Sequence, residues 1–177
     1  MCDICNGKTH EQVEAETRDR VRQLGWAVQG VQPSDGHPGW AYTVGLLDSY
    51  DHPELVVVDD DWARGASLLN ALGRAVRDGA IFEPGDAIDL CGSRAEVIDV
   101  HPDHLASNVM AMWHNIRGPG SGLLPLDLEA YQLVARDPLP DGDVLPDVRL
   151  GGPGPVLGVT GPNRAERRAA ARWRPTG

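Results

Sequence analysis

The run Glu54-Leu55-Val56-Val57-Val58 constrains the fold more than any other stretch of the chain. It has the length of a strand and is far too short to cross a membrane. Its apolar character is nearly unbroken, so it reads as a central strand buried on both faces. Asp59-Asp60-Asp61 stops it, and one of these acids is placed to cap the next helix, where the dipole favours negative charge. Trp62 to Asp78 then carries Ala66, Leu68, Leu69, Leu72, Ala75 and Val76 at helical spacing, closed by Gly79. This is the best amphipathic helix in the sequence.

Around that unit the other elements fall into place. Thr9 and Gln12 have the spacing of a capping box. Val13, Thr17, Val21 and Leu24 follow on one helical face, and Gly25 supplies a stop, so a helix is expected over 10–24. Residues 26–31 and 40–47 read as a hairpin around the turn formers of 32–39. Asp48 to Pro53 reads as a loop. Two short strands are expected at 87–91 and 95–100, a helix at about 103–116, and a last strand at 128–135. The expectation is a single α+β domain, with a mainly antiparallel or mixed sheet of five to six strands and two to three packed helices. Its parts are a Cys-x-x-Cys arm at 1–8, the α+β domain at 9–135, an irregular, weakly held Pro/Gly/Asp-rich segment at 136–162, and an Arg-rich tail at 163–177.

Charge separates the tail from the body. Residues 161–177 hold five arginines and one acid, a charge of +4, whereas the whole chain carries −10 and residues 1–160 therefore −14. An acidic body repels nucleic acid and anionic lipid at long range, so neither sequence-specific DNA binding nor membrane attachment is expected. Any polyanion would be met by Arg164, Arg167, Arg168, Arg172 and Arg174, or the tail could fold back onto the acidic body, the cheaper reading because that partner is always present. Ala165, Ala169 and Trp173 recur every four residues beside them, outlining a short helix that would order only on docking. The three cysteines are too few for a disulfide scaffold, and the first residues have no secretory pattern, so a cytoplasmic setting is expected.

Three places could carry chemistry. Cys2 and Cys5 have chelating or redox spacing, with His10 or Cys91 as further zinc ligands; an idle arm is the plainer reading. The second place is the hairpin strand with the segment after it. Alternation sends Trp40, Tyr42 and Val44 to one face and Ala41, Thr43 and Gly45 to the other. The small-residue face would admit another backbone or a flat ligand, or Gly45 could simply mark a bulge with both faces packed. His52, on a His-Pro loop, is expected to be accessible, and it joins Trp26, Trp40, Tyr42, Thr43, Gly45 and Glu54 as a candidate pocket for a flavin or nucleotide. The third is His101-Pro102-Asp103-His104, where two histidines could share a metal, unless Asp103 caps the helix and leaves both in solvent. His114 would stand about 15 Å further along a continuous helix and outside that site. No P-loop and no Gly-x-Ser-x-Gly elbow occurs, so no catalytic constellation is complete.

Taken in order, Met1-Cys2 with Cys5, Gly25-Trp26-Ala27-Val28, Trp40 to Leu46 and His52-Pro53-Glu54-Leu55-Val56-Val57 resemble the bacterial domain-of-unknown-function family 4262. Leu68-Leu69-Asn70, Val76-Arg77-Asp78-Gly79 and Pro84-Gly85-Asp86 continue the resemblance, which covers roughly residues 1–135. Gln132-Leu133-Val134 resembles the family's late strand, and Ala135-Arg136-Asp137-Pro138 departs from the Trp/Asp-rich continuation that strand often has in the family. The resemblance implies an α+β domain and brings no catalytic residues. Function then divides between a binding or accessory domain whose tail docks an acidic protein or RNA, a small-ligand protein or enzyme, and a zinc protein.

Overall fold

The computed structural model describes residues 7–33, 38–59, 61–90, 93–106, 108–117, 128–135 and Leu150. Its elements run α1 (His10–Leu24), β1 (Ala27–Val31), β2 (Trp40–Val44), α2 (Leu46–Tyr50), β3 (Glu54–Val58) and α3 (Trp62–Arg77). They continue with β4 (Ala87–Leu90), β5 (Ser93–Asp99), α4 (Pro102–Leu105), a 3-10 turn at Asn108–Met110, α5 (Ala111–Asn115) and β6 (Ala130–Ala135). The six strands form one mixed sheet in the order β1-β2-β3-β6-β5-β4, in which only β3 and β6 run parallel. The α+β expectation is met, with β3 at the centre and every one of its residues buried.

Alternation along the strands sorts the core into two layers. Tyr42 and Val44 of β2, Val56 and Val58 of β3 and Ala130 of β6 face α4 and α5, against Leu105, Met110, Trp113 and Ile116. Ala41, Leu55, Val57, Tyr131 and Leu133 face the other way, against Leu69, Leu72 and Val76 of α3. Helix α1 begins with the expected capping box: Gln12 N–H donates to Thr9 Oγ1 at 3.2 Å, and Thr9 N–H to Gln12 Oε1 at 2.8 Å. It ends at Gly25, whose φ of 90° is the left-handed stop. Asp61 is the member of the acidic triplet that caps α3, accepting from Ala63 and Arg64 N–H.

Trp26 crosses α3 where Gly73 leaves room for its indole. A Cβ on Gly73 would stand 2.6 Å from Trp26 Cε2, and Trp26 Nε1 donates to Asn70 Oδ1 at 3.3 Å. Gly73→Ala is therefore expected to destabilise by about 1–3 kcal/mol, as overpacking does. Denaturant unfolding with indole emission as the probe checks it; an unchanged midpoint would mean that the ring moves aside freely.

Three local expectations are corrected. The strand expected over 40–47 ends at Val44, because Leu46 and Leu47 open α2 inside the expected loop. The strand expected to begin at 95 begins at Ser93. The single helix expected at 103–116 is broken into α4, the 3-10 turn and α5. The sheet explains the break: Trp40 Nε1 donates to Val109 O at 2.9 Å, and Met112 N–H donates to Tyr42 Oη at 3.0 Å. Backbone groups that a continuous helix would satisfy internally are thus satisfied from β2.

Leu150, in the segment expected to be weakly held, is buried in the layer of α4 and α5. Its N–H donates to Gln132 Oε1 at 2.6 Å, and its carbonyl accepts from His101 N–H at 2.7 Å.

Candidate functional site

The second candidate place in the sequence, Thr43-Val44-Gly45-Leu46 with His52-Pro53-Glu54-Leu55, folds into one corner. Glu54 opens β3 directly beneath the N-terminus of α2 and is 0% exposed. Its carboxylate accepts from Thr43 Oγ1 and Gly45 N–H, each at 2.7 Å, and from Leu46 and Leu47 N–H at 3.3 and 3.4 Å. Thr43 Oγ1 in turn accepts from Leu55 N–H at 2.8 Å. A short helix whose N-cap is a glycine has no local side chain to satisfy its first amides. Glu54 supplies that acceptor from the neighbouring strand. Burial pushes its carboxyl above the usual carboxylate range, while the Thr43 hydroxyl and the three amides pull it back down.

Gly45 makes the corner possible. Its φ of 110° lies in the glycine region, and a Cβ there would stand 2.7 Å from Val21 Cγ1 and 2.9 Å from the Gly25 carbonyl. Gly45, just past the end of β2, thus receives a backbone, the C-terminus of α1, whereas Ala41 on the same small-residue face packs toward α3. The glycine marks a strand-to-helix corner with both faces packed.

His52 corrects the expectation of an accessible loop residue: it is 4% exposed. Its Nδ1 lies 2.6 Å from Pro53 O, and Phe82 N–H donates to its Nε2 at 3.1 Å. The pattern fits a neutral ring with its proton on Nδ1. The imidazole meets Phe82 and Tyr131 edge-on, at centroid distances of 5.7 and 6.2 Å. Among the remaining pocket candidates, Trp26 packs in the α3 layer, whereas Trp40 and Tyr42 belong to the layer of α4 and α5. The sheet stands between them, so one flat ligand does not meet all three rings. Burial pushes the Tyr42 phenol well above its usual range.

At the third place, His101 rather than Asp103 is the cap: its Nδ1 accepts from Asp103 N–H at 3.3 Å, with Asp103 Oδ2 at 3.2 Å. His101 and His104 are both buried, which corrects their expected exposure. His114 does not stand a helix-length away, since the break returns its Nε2 to 2.8 Å from Leu105 O. Among the described residues no group of three His, Cys, Asp or Glu is arranged to hold a metal ion. His10 is exposed in the first turn of α1; Cys2, Cys5 and Cys91 lie outside the described residues, as do Arg164, Arg167, Arg168, Arg172, Trp173 and Arg174. Among the described residues no helix is long and apolar enough to cross a membrane.

Two charged pairs escape a reading of the sequence alone. Asp59 at the end of β3 receives Arg64 Nε at 2.7 Å and Nη2 at 2.8 Å. The acidic triplet followed by Arg64 is a local signal for this fork. Arg117 grips Asp48 of α2 with both terminal nitrogens, one of them at 2.9 Å, and its guanidinium lies 3.7 Å from the Trp113 ring centroid. No local pattern announces that contact, because 69 residues separate the partners. Arg117→Ala leaves Asp48 largely buried without its charge partner, and a loss of about 3 kcal/mol is expected. Urea unfolding of Arg117→Ala and Arg117→Lys separates charge from fork: lysine should recover only part of the loss.

The arrangement tells what these groups do. Thr43, Glu54 and His52 satisfy backbone amides and carbonyls at the junction of α1, β2, α2, β3 and the segment preceding β4. Comparison with curated proteins and with solved structures finds no match. One family model matches, described as Domain of unknown function (DUF4262), over residues 20–141. The corner built from Thr43, Gly45 and Glu54 lies wholly inside that match, and the chain belongs to the DUF4262 family.

Proposed function

We propose that this protein is a non-enzymatic binding or accessory domain that docks an acidic protein partner through its arginine-rich C-terminal residues. One observation carries the reading: Thr43, His52 and Glu54, the polar groups of the candidate pocket, are buried and hydrogen-bonded to backbone, so these residues serve the fold. Recognition then falls to the surface and to the segment of opposite charge. Residues 161–177 carry +4 beside a body of −14. An acid-rimmed protein groove suits them better than RNA. A continuous phosphate backbone would bring more negative charge within a Debye length, roughly 8–10 Å, of the acidic body. The Ala165, Ala169 and Trp173 stripe also suits helix-in-groove recognition.

The test uses the full chain and the variant Arg164→Glu/Arg168→Glu/Arg172→Glu as paired baits, matched by circular dichroism. A protein retained by the native chain, lost with the variant and indifferent to ribonuclease supports the reading. Identical partners on both baits reject it. Capture that ribonuclease abolishes and that falls steeply with salt transfers the partner to RNA.

A further inference from the structure

Residues 81–89, which lead from α3 into β4, form an exposed margin of unusual composition. Ile81 is 75% exposed, the most exposed large aliphatic side chain among the described residues. Its neighbour Phe82 turns inward to His52. Glu83, Pro84, Gly85, Asp86, Ala87 and Asp89 are also exposed, and the stretch contains three acids and no base. Here Asp86 Oδ2 accepts a turn amide, Glu83 N–H, at 2.8 Å, and the cross-strand neighbour of Asp89 is Arg94. An exposed aliphatic side chain rimmed by carboxylates fits a short basic segment with one apolar stripe.

We infer that this margin is the docking surface for the chain's own residues 163–174, with the Ala165, Ala169 and Trp173 stripe over Ile81 and the arginines toward Glu83 and its acidic neighbours. Charge complementarity selects that occupant, and the anchor at Leu150 makes it reachable. Leu150 is bolted to Gln132 on β6, and β4 lies two strands away, roughly 10 Å across the sheet. Twelve residues lie between Leu150 and Asn163, a reach of roughly 40 Å when extended. Tethering also places the tail at a high effective concentration, so a weak contact suffices to hold it. The inference rests on the reading of the tail as the docking element, and it adds a regulation: the body and the outside partner compete for the same arginines.

Trypsin reads the contact in the full chain, because it cleaves after the arginines concerned. The native tail should be cut roughly tenfold more slowly than a free peptide of residues 161–177, in proportion to its docked population. Ile81→Asp and Glu83→Lys, both at exposed positions, should each restore cleavage toward the peptide rate, as should 0.5 M salt. Hydrogen exchange should show 81–89 losing protection in step. A native tail cut as fast as the peptide, with neither variant having an effect, overturns the inference. Partner capture is scored separately on the same proteins. Capture without tail protection leaves the docking function standing and removes this inference; protection without capture does the reverse.

Discussion

Glu54→Ala should destabilise the protein by roughly 4 kcal/mol, a large share of the stability of a domain this size. Four donors lose their common acceptor at once: the Thr43 hydroxyl and the amides of Gly45, Leu46 and Leu47. A buried donor left without a partner costs about 1–3 kcal/mol, and Glu54 is 0% exposed. Glu54→Gln keeps the shape and one acceptor oxygen, and its amide can donate to Thr43 Oγ1. Its cost should be about half that of alanine. The pH dependence separates the two contributions. Burial raises the Glu54 pKa above its unfolded value, so the folded state binds that proton more tightly. The stabilisation is fully present below the unfolded pKa, near 4.3, and is lost as pH rises through the folded value. Native protein should therefore lose stability relative to Glu54→Gln as pH rises from about 4 to 7. Urea midpoints for both proteins across that range give the sign, and a difference that does not vary with pH contradicts it.

Leu150→Asp is the second large effect, expected at about 3–5 kcal/mol. The side chain enters the apolar layer of Met110, Trp113 and Ile116, where burying a carboxylate is costly. Leu150→Ala should cost about 2 kcal/mol, within the usual range for a buried leucine. Both backbone bonds of Leu150 survive either substitution, so the difference between the two variants reports the polarity of the site. Equal midpoints for both variants and the native chain would show that Leu150 lies outside the cooperative unit.

The frame of the fold is legible because its signals are local. Thr9, Gln12 and Gly25 delimit α1, and Asp61 and Gly79 bracket α3. The unbroken run 54–58 marks a strand covered on both faces. The features that escape depend on contacts between distant residues. Nothing near Leu46 indicates a helix, since the acceptor that caps it arrives with Glu54. Nothing within 103–116 indicates a break, since Trp40 and Tyr42 cause it from β2. Leu150 sits among prolines, glycines and acids, and only Gln132 and His101 give it a place. Thr43, Gly45, His52 and Glu54 stand out in the sequence as a group, yet their role is not legible there. A glutamate that binds a ligand and a glutamate that caps a helix look alike in one dimension. His52 misleads for the same reason: a His-Pro loop residue is usually accessible, and this one is enclosed by Phe82 and Tyr131.

The central claim is that Glu54 holds the first turn of α2 as part of the folded core. Amide hydrogen exchange at Gly45, Leu46 and Leu47 tests it most directly. In the native chain these three amides should exchange only through global unfolding, as slowly as the amides of β3, and in Glu54→Gln they should exchange faster while β3 keeps its local protection. Loop-like exchange at all three positions in the native protein would contradict the account.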